Sequence, residues 1–140
     1  MIEIKKVLFT DQNDIEKCFL IRKEVFVNEQ KCDPEDEYEN EEDSIHFLLL
    51  DNNNPVATAR YRETKNGIKM ERFAVLKNMR GKGYGLMILN YMINDLSENI
   101  LIKYLHAQVQ VVGFYEKVGF KKIGNQFDEV GIMHYKMILN

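Results

Sequence analysis

Cysteine and long apolar stretches are both scarce in this sequence, and their scarcity excludes several classes of protein. Two cysteines, Cys18 and Cys32, are too few for a disulfide framework or a zinc cluster. No apolar run approaches the roughly 18 residues of a membrane-spanning helix, and the first residues lack the apolar core of a signal peptide. A formal charge of −3 gives no general attraction to nucleic acid or to an anionic membrane. We therefore expect a cytoplasmic protein without a metal, nucleic-acid or membrane partner.

Charge is instead concentrated in one acidic segment. Residues 33–43 hold eight acidic residues and no basic one, which leaves 19 bases and 14 acids, a net charge of +5, in the rest of the chain. A basic body suits an anionic cofactor. The sequence leaves two interpretations of the acidic segment open, a solvated lid or a binding surface for a cationic second substrate.

Length and hydrophobic periodicity predict one α/β domain over residues 1–140. A chain of 140 residues that is 45% apolar can bury a substantial core. Apolar alternation and helical spacing give the order β-α-β-β-β-α-β-α-β-β, with a hairpin turn at Asn66-Gly67. The predicted strands are 2–9, 45–50, 56–63, 68–75, 103–109, 120–127 and 132–139. The predicted helices run from a cap at residue 10 or 11 to about 29, over 84–98 and over 111–117. This order indicates a mixed sheet with helices packed on its faces.

Arg22 interrupts the apolar stripe of the first predicted helix. That stripe consists of Ile15, Cys18, Phe19, Val25 and Phe26. A cation on an apolar face requires either an acidic partner inside the fold or a ligand, and the sequence permits both.

The most informative segment is residues 80–85, Arg-Gly-Lys-Gly-Tyr-Gly, which we call the glycine loop. It lies between a predicted strand and a predicted helix, where backbone N–H groups and the helix dipole can bind a pyrophosphate. A Walker A loop is excluded because Gly81-Lys82 is followed by Gly83 rather than by serine or threonine. The dinucleotide fingerprint lacks its third glycine, since Leu86 stands there, and the loop does not follow the first strand of a βαβ unit.

The loop fits a third pattern, Arg/Gln-x-x-Gly-x-Gly/Ala, and its neighbours extend the match. Together with residues 71–75 before it and Phe-Tyr-Glu-Lys-Val-Gly-Phe at 114–120 after it, the chain resembles the GNAT superfamily of acyl-coenzyme A-dependent N-acetyltransferases. Residues 21–30, His46, 106–110 and 129–134 resemble its ElaA-like branch. The resemblance covers nearly the whole chain. It implies a mixed, mostly antiparallel central sheet with splayed strands 4 and 5, flanked by helices, and acetyl-CoA as co-substrate.

The resemblance also implies functions for individual residues. Tyr115 would protonate the departing thiolate, and Glu71 is the first choice for the base that takes a proton from the acceptor amine. The N–H of Val75 would polarise the thioester carbonyl. Gln108 stands where the superfamily usually has an asparagine, so its contact with the pantetheine is open. The residues expected to bind the cofactor are Phe73, Ala74, Val75, Arg80, Gly81, Lys82, Gly83, Tyr84, Gly85, Gln108 and Phe114. The residues expected in the substrate cleft are Arg22, Glu29, His46 and His134, of which the last three are further base candidates.

Several questions stay open in the sequence. The predicted activity is acetyl transfer to a primary amine by direct attack in a ternary complex, because Tyr115 occurs together with a base candidate. The alternatives are a non-enzymatic acyl-CoA-binding sensor or regulatory domain and a nucleotide-binding protein. The acceptor could be a small amine, an amino acid, an aminoglycoside-like compound or a protein lysine, and the protein a monomer or a homodimer.

Overall fold

A computed structural model describes residues 1–33 and 39–139 of the chain. The strands are β1 (Ile2–Val7), β2 (Ser44–Asp51), β3 (Asn54–Thr64), β4 (Gly67–Val75), β5 (Lys103–Gln108), β6 (Phe120–Glu129) and β7 (Ile132–Leu139). The α-helices are α1 (Gln12–Arg22), α2 (Tyr84–Asp95) and α3 (Val112–Glu116). A π-helix covers Lys23–Glu29, and 3₁₀ turns cover Lys77–Met79 and Val109–Val111. The predicted order of strands and α-helices is confirmed.

The sheet is mixed and mostly antiparallel, as the resemblance implied. Its strands are hydrogen-bonded in the order β1-β2-β3-β4-β5-β7-β6, with β4 and β5 parallel. Their ladder contains only Ile68↔Lys103 and Lys69↔Tyr104, although β4 continues to Val75 and β5 to Gln108. The two strands therefore part after one short stretch of pairing, which confirms the predicted splay.

The chain forms two compact units, and the prediction of one domain stays a prediction. The first unit comprises Met1–Arg62 and Arg72–Asn99, and the second comprises Glu63–Glu71 and Ile100–Asn140. The core of the first unit consists of Val7, Ile15, Cys18, Ile21, Val25, Leu48, Leu50 and Ala74. Each large aliphatic side chain buried there contributes roughly 1.5–3 kcal/mol. Burial also raises the pKa of the Cys18 thiol to about 11, which leaves it unreactive at neutral pH.

The first helix differs most from its predicted bounds, while the second ends at Asp95 rather than about 98 and the third covers Val112–Glu116 rather than 111–117. The periodicity predicted a single helix to about residue 29, whereas α1 ends at Arg22 and a π-helix continues over Lys23–Glu29. The wider turn is visible in the bond from the Gln30 N–H to the Val25 carbonyl. Over so few residues, apolar spacing does not distinguish an α-helix from a π-helix, and Val25 is buried in the core as the spacing predicted.

The register of the second unit gives its sheet two chemically different faces, because partners in an antiparallel ladder share a face. One face carries the buried Leu105, Ala107 and Met137. The opposite face, which we call the histidine face, carries His106, Gln108, His134 and Lys136. Phe120 pairs with Leu139 and therefore lies on the apolar face.

The position of Gly67, at the β3–β4 hairpin, requires a residue without a Cβ because the chain before β5 passes close to it. Its φ is +127°, and a Cβ there would lie 2.2 Å from the Ile102 carbonyl oxygen. That oxygen also accepts the Ile68 N–H at 2.7 Å. We expect Gly67→Ala to lower the free energy of unfolding by roughly 2–3 kcal/mol through strain and displacement of this bond, as measured by chemical denaturation.

Gly131→Ala is the matched control in the same unit. Gly131 also has a positive φ of +81°, but a Cβ there meets no atom within 4 Å. Only the backbone strain, about 1–2 kcal/mol, should then appear. Equal losses in the two variants would contradict the close-approach argument.

Candidate active site

The glycine loop adopts a conformation suited to binding an anion. It precedes α2, and Gly81 and Gly83 have left-handed φ values of +84° and +83°. A Cβ built on either glycine meets nothing within 4 Å, so the backbone there is open. The Gly83 carbonyl accepts the Met87 N–H at 3.0 Å and thereby opens the first turn of α2. Left-handed residues beside a helix N-terminus form the backbone concavity that binds phosphate groups, so the loop fits a pyrophosphate.

Arg80 anchors the start of this loop to protein groups. Its guanidinium donates to both carboxylate oxygens of Glu29 at 2.6 and 2.7 Å, and its Nε donates to the Val75 carbonyl at 2.9 Å. The Arg80 hydrogen bonds lower the pKa of Glu29 below its ordinary value. Lys82 is exposed, with its Nζ 3.8 Å from the Met79 sulfur. Lys82 is therefore better placed than Arg80 to meet an incoming anion.

The other loop and strand residues expected at the cofactor lie at the start of α2 and the end of β4. Tyr84 is the first residue of α2, and its hydroxyl donates to the Asp51 carboxylate. This bond ties the N-terminus of α2 to the end of β2. Ala74 is buried in the core, whereas Phe73 and Val75 point to the opposite side of β4. Just before them, Arg72 has a left-handed φ of 58°, which non-glycine residues adopt mostly near turns and functional sites.

Arg22 is paired with an acid inside the fold. Its guanidinium donates to both Glu41 oxygens at 3.0 and 2.7 Å, and Arg60 donates to the same carboxylate at 2.5 Å. His46 Nε2 donates to the Glu41 backbone carbonyl at 3.2 Å. The side chains of Arg22, Arg60 and His46 are each 1% exposed. These contacts account for Arg22 without a ligand, whereas His46 Nδ1 is buried and has no hydrogen-bond partner among the described residues. The predicted contact of both residues with substrate stays a prediction.

Glu41 belongs to the acidic segment, and its partners were not predicted. Burial alone would raise the pKa of Glu41, but the Arg22 hydrogen bonds and the charges of Arg22, Arg60 and His46 outweigh burial and lower it. At least this acid is structural rather than part of a solvated lid. Residues 34–38 of the segment lie outside the described residues. The signal for this pairing in the sequence was an arginine on an apolar helix stripe, followed by a run of acidic residues without a basic one.

Tyr115 lies on the apolar face of the second unit. Its ring makes edge-to-face contacts with Phe114 and Phe120, at centroid distances of 5.2 and 5.9 Å. The residue is 8% exposed, and burial raises the pKa of its hydroxyl, so it stays protonated at neutral pH. Phe114 is 38% exposed. Gln108 ends β5, and its side-chain oxygen accepts from Gln110 at 2.6 Å.

Two of the base candidates also lie in the second unit. The Glu71 carboxylate is 3.5 Å from Lys69 Nζ. His134 is buried, with Nδ1 2.8 Å from the Ile132 carbonyl and Nε2 3.5 Å from Glu129. The other Glu129 oxygen is 3.1 Å from His106 Nδ1.

The sequence interpretation assigned no function to His106 or Glu129. A signal for His106 was present, because it stands two residues before Gln108 on one strand and therefore shares its face. No comparable signal joined Glu129 to either histidine.

Metal-ligating clusters and membrane-spanning helices are both absent from the described residues. Within residues 1–33 and 39–139, no three His, Cys, Asp or Glu side chains are arranged to hold a metal ion. Among the helices of the same residues, none is long and apolar enough to cross a membrane.

Comparison with known proteins agrees with this arrangement. The family model described as an acetyltransferase (GNAT) domain matches residues 10–140. A Bacillus subtilis (strain 168) protein, named only as a candidate acetyltransferase, is 36% identical over 141 residues, covering 97% of this chain and 95% of that protein.

Two crystal structures share the fold. Escherichia coli ElaA has a TM-score of 0.89 and 24% identity, with 100% of both chains covered. An acyl-CoA N-acyltransferase from Pseudomonas aeruginosa has a TM-score of 0.90 and 20% identity, again covering 100% of both chains. At these identities the likeness concerns the fold alone.

Proposed function

Because the chain belongs to the GNAT acetyltransferase family, whose members transfer acyl groups from acyl-CoA, we propose that it acetylates a primary amine with acetyl-CoA as the donor. The amine would attack directly, in a ternary complex of protein, acetyl-CoA and acceptor. The observation that carries the proposal is the open, left-handed backbone at Gly81 and Gly83 beside the N-terminus of α2.

The glycine loop would hold the pyrophosphate through its backbone N–H groups and through Lys82. Phe73, Ala74 and Val75 would bind the pantetheine arm through their backbone, and Gln108 and Phe114 are further residues proposed to bind the cofactor. Acetyl-CoA supplies an activated thioester, and the N–H of Val75 would stabilise charge that develops on its carbonyl oxygen. Arg80 contributes by fixing Val75 and the loop to each other, since its Nε bonds the Val75 carbonyl.

Tyr115 would donate the proton that the leaving sulfur requires. Burial raises the pKa of its hydroxyl, which keeps the proton in place at neutral pH but makes the group a weaker acid in the unliganded protein. Glu71 is the base candidate carried over from the sequence, and its carboxylate faces Lys69. Arg22, Glu29, His46 and His134 remain proposed residues of the acceptor cleft.

A screen of amines tests the proposed activity. Small amines, amino acids, aminoglycosides and lysine peptides would each be mixed with the protein and acetyl-CoA, with thiol release and product mass as readouts. We expect amine-dependent thiol release together with an N-acetylated product. Binding of acetyl-CoA without transfer to any of these classes would contradict an acetyltransferase.

Gly83→Val is expected to weaken acetyl-CoA binding at least about tenfold, equivalent to about 1.4 kcal/mol. The Gly83 backbone is left-handed and opens the helix, so a β-branched side chain strains it and occupies the space beside the N–H groups. Isothermal titration calorimetry with acetyl-CoA measures the change.

Gly124→Val controls for the strain alone. Gly124 lies on β6, has a left-handed φ of +71° and, like Gly83, offers open space to a Cβ. Both variants should lose similar stability, but only Gly83→Val should lose affinity. Unchanged affinity in a folded Gly83→Val protein would remove the loop from the coenzyme site.

A further inference from the structure

On the histidine face of the second unit, His106 contacts Glu129, and the proposed function gives neither residue a role. His106 is the first residue on this face of β5 after the last β4–β5 pair, Lys69↔Tyr104. It therefore stands where the two parallel strands part. Gln108, which the proposed function places at the pantetheine, lies two residues further along the same face.

The contact between His106 and Glu129 fixes the protonation pattern of the imidazole. The Glu129 carboxylate oxygen lies 3.1 Å from His106 Nδ1. The hydrogen bond with His106 lowers the pKa of Glu129, and its effect is larger than the opposite effect of burial. The carboxylate is therefore ionised at neutral pH and can only accept hydrogen bonds. His106 Nδ1 must then carry the proton, which makes Nε2 the basic nitrogen of the neutral ring.

The surroundings hold both members of this pair in place. His134 Nε2 lies 3.5 Å from the second oxygen of Glu129. The Phe127 ring lies edge-on to His106 at 4.9 Å and stacks on His134 at 5.9 Å. Glu129 lies between two histidines, and rotation of the His106 ring would lose its edge-on contact with Phe127. A histidine acts as a general base when a carboxylate accepts the hydrogen bond of Nδ1–H, because Nε2 is then the nitrogen that can take up a proton.

The alternative base, Glu71, has a different environment. Its carboxylate lies 3.5 Å from the Lys69 ammonium, whereas the carboxylate beside His106 leaves Nε2 of the imidazole as the proton-accepting atom. His106 is also partly open to solvent, with 24% of its side chain exposed, so an acceptor can reach it.

Resting on the proposed acetyl transfer, we propose that His106 is the catalytic base, that Glu129 is its positioning residue, and that the acceptor amine approaches on the histidine face. A bond forms between the amine nitrogen and the acetyl carbon as the carbon–sulfur bond breaks. The amine proton passes to His106 Nε2, and the Tyr115 hydroxyl proton passes to the sulfur. Both residues belong to the second unit, where Tyr115 packs against Phe120 and His106 lies on the histidine face.

The kinetic test compares variants in the full-length protein with an amine that the wild type accepts. His106→Gln should lower kcat at least about 100-fold while acetyl-CoA affinity stays within about twofold. Glu71→Gln should retain more of kcat than His106→Gln does. A folded His106→Gln protein with more than half of the wild-type kcat, or a larger loss in Glu71→Gln, would overturn the assignment.

A second measurement tests the pair without turnover. Nitrogen-15 NMR of the imidazoles should show the Nδ1–H tautomer for neutral His106 in the wild type. Glu129→Ala should shift this ring toward the Nε2–H tautomer and lower kcat, while acetyl-CoA affinity is kept. Asp128→Ala is the matched control, because Asp128 pairs with Met133 on the other face and accepts the Gly131 N–H. An unchanged His106 tautomer in Glu129→Ala would show that Glu129 does not position the ring.

The two measurements also separate this inference from the proposed function. Wild-type protein that transfers no acetyl group to any amine would contradict the proposed activity. The assignment of His106 as a catalytic base would then fail as well. Transfer by the wild type that survives the His106 and Glu129 substitutions would contradict only the inference.

Discussion

Tyr115→Phe is expected to lower kcat by about 100-fold to 1,000-fold, within the range that general acid catalysis contributes. The substitution removes one hydroxyl and keeps the ring that packs against Phe114 and Phe120. Acetyl-CoA affinity and the melting temperature should therefore change little. Steady-state kinetics with an accepted amine, together with calorimetry, measure the two quantities separately.

Tyr135→Phe is the matched control for this prediction. Tyr135 also lies in the second unit, where its hydroxyl accepts a bond from Gln126 and its ring faces Lys122. Its loss should leave kcat within about twofold. If Tyr115→Phe kept the wild-type kcat, the proton of the leaving thiol would have to come from another group.

Glu41→Gln is expected to lower the free energy of unfolding by about 3–5 kcal/mol, the cost of breaking a buried ion pair from one side. The substitution removes the negative charge that Arg22 and Arg60 share, and both arginines are 1% exposed. Chemical denaturation at pH 7 measures the loss. Glu42→Gln removes a neighbouring exposed charge and should cost less than about 0.5 kcal/mol.

The same cluster predicts a pH dependence with a definite sign. The folded protein lowers the pKa of Glu41 below its ordinary value of 4.5, so its stabilising contribution is complete above that pH. The contribution is lost as the pH falls through the lower folded value. The difference in stability between the wild type and Glu41→Gln should therefore shrink in acid, and a constant difference down to pH 3 would contradict the pairing.

Much of the fold was predictable because local patterns and packing agree. The strand at residues 132–139 was predicted with the bounds that β7 has. Its successive side chains point alternately to the two faces of the sheet, and this alternation is visible in the sequence. Asn66-Gly67 marked the β3–β4 hairpin, although the structure places Gly67 at the start of β4. The π-helix at Lys23–Glu29 was missed, since its apolar residues fit both helical periods.

The candidate site was predictable only where a residue's chemistry follows from its neighbours in sequence. The glycine loop is such a case, because alternating glycines before a helix predict an open, left-handed backbone, which Gly81 and Gly83 have. Pairing between distant residues was not predictable. The sequence required a partner for Arg22 but could not identify it as Glu41, 19 residues away. It left the proton-accepting residue open for the same reason, since His106 and Glu129 are 23 residues apart.

The sequence by itself determined the element order, the family and the loop that would hold the acyl donor, because each of these depends on residues that are neighbours along the chain. Only the tertiary structure decided which charged groups meet. Strand register and the bulge in β6 bring His106, Glu129 and His134 together from three strands, and burial decides that Arg22 needs Glu41. The energy of such pairs depends on distance and on exclusion of water, and neither quantity is encoded locally.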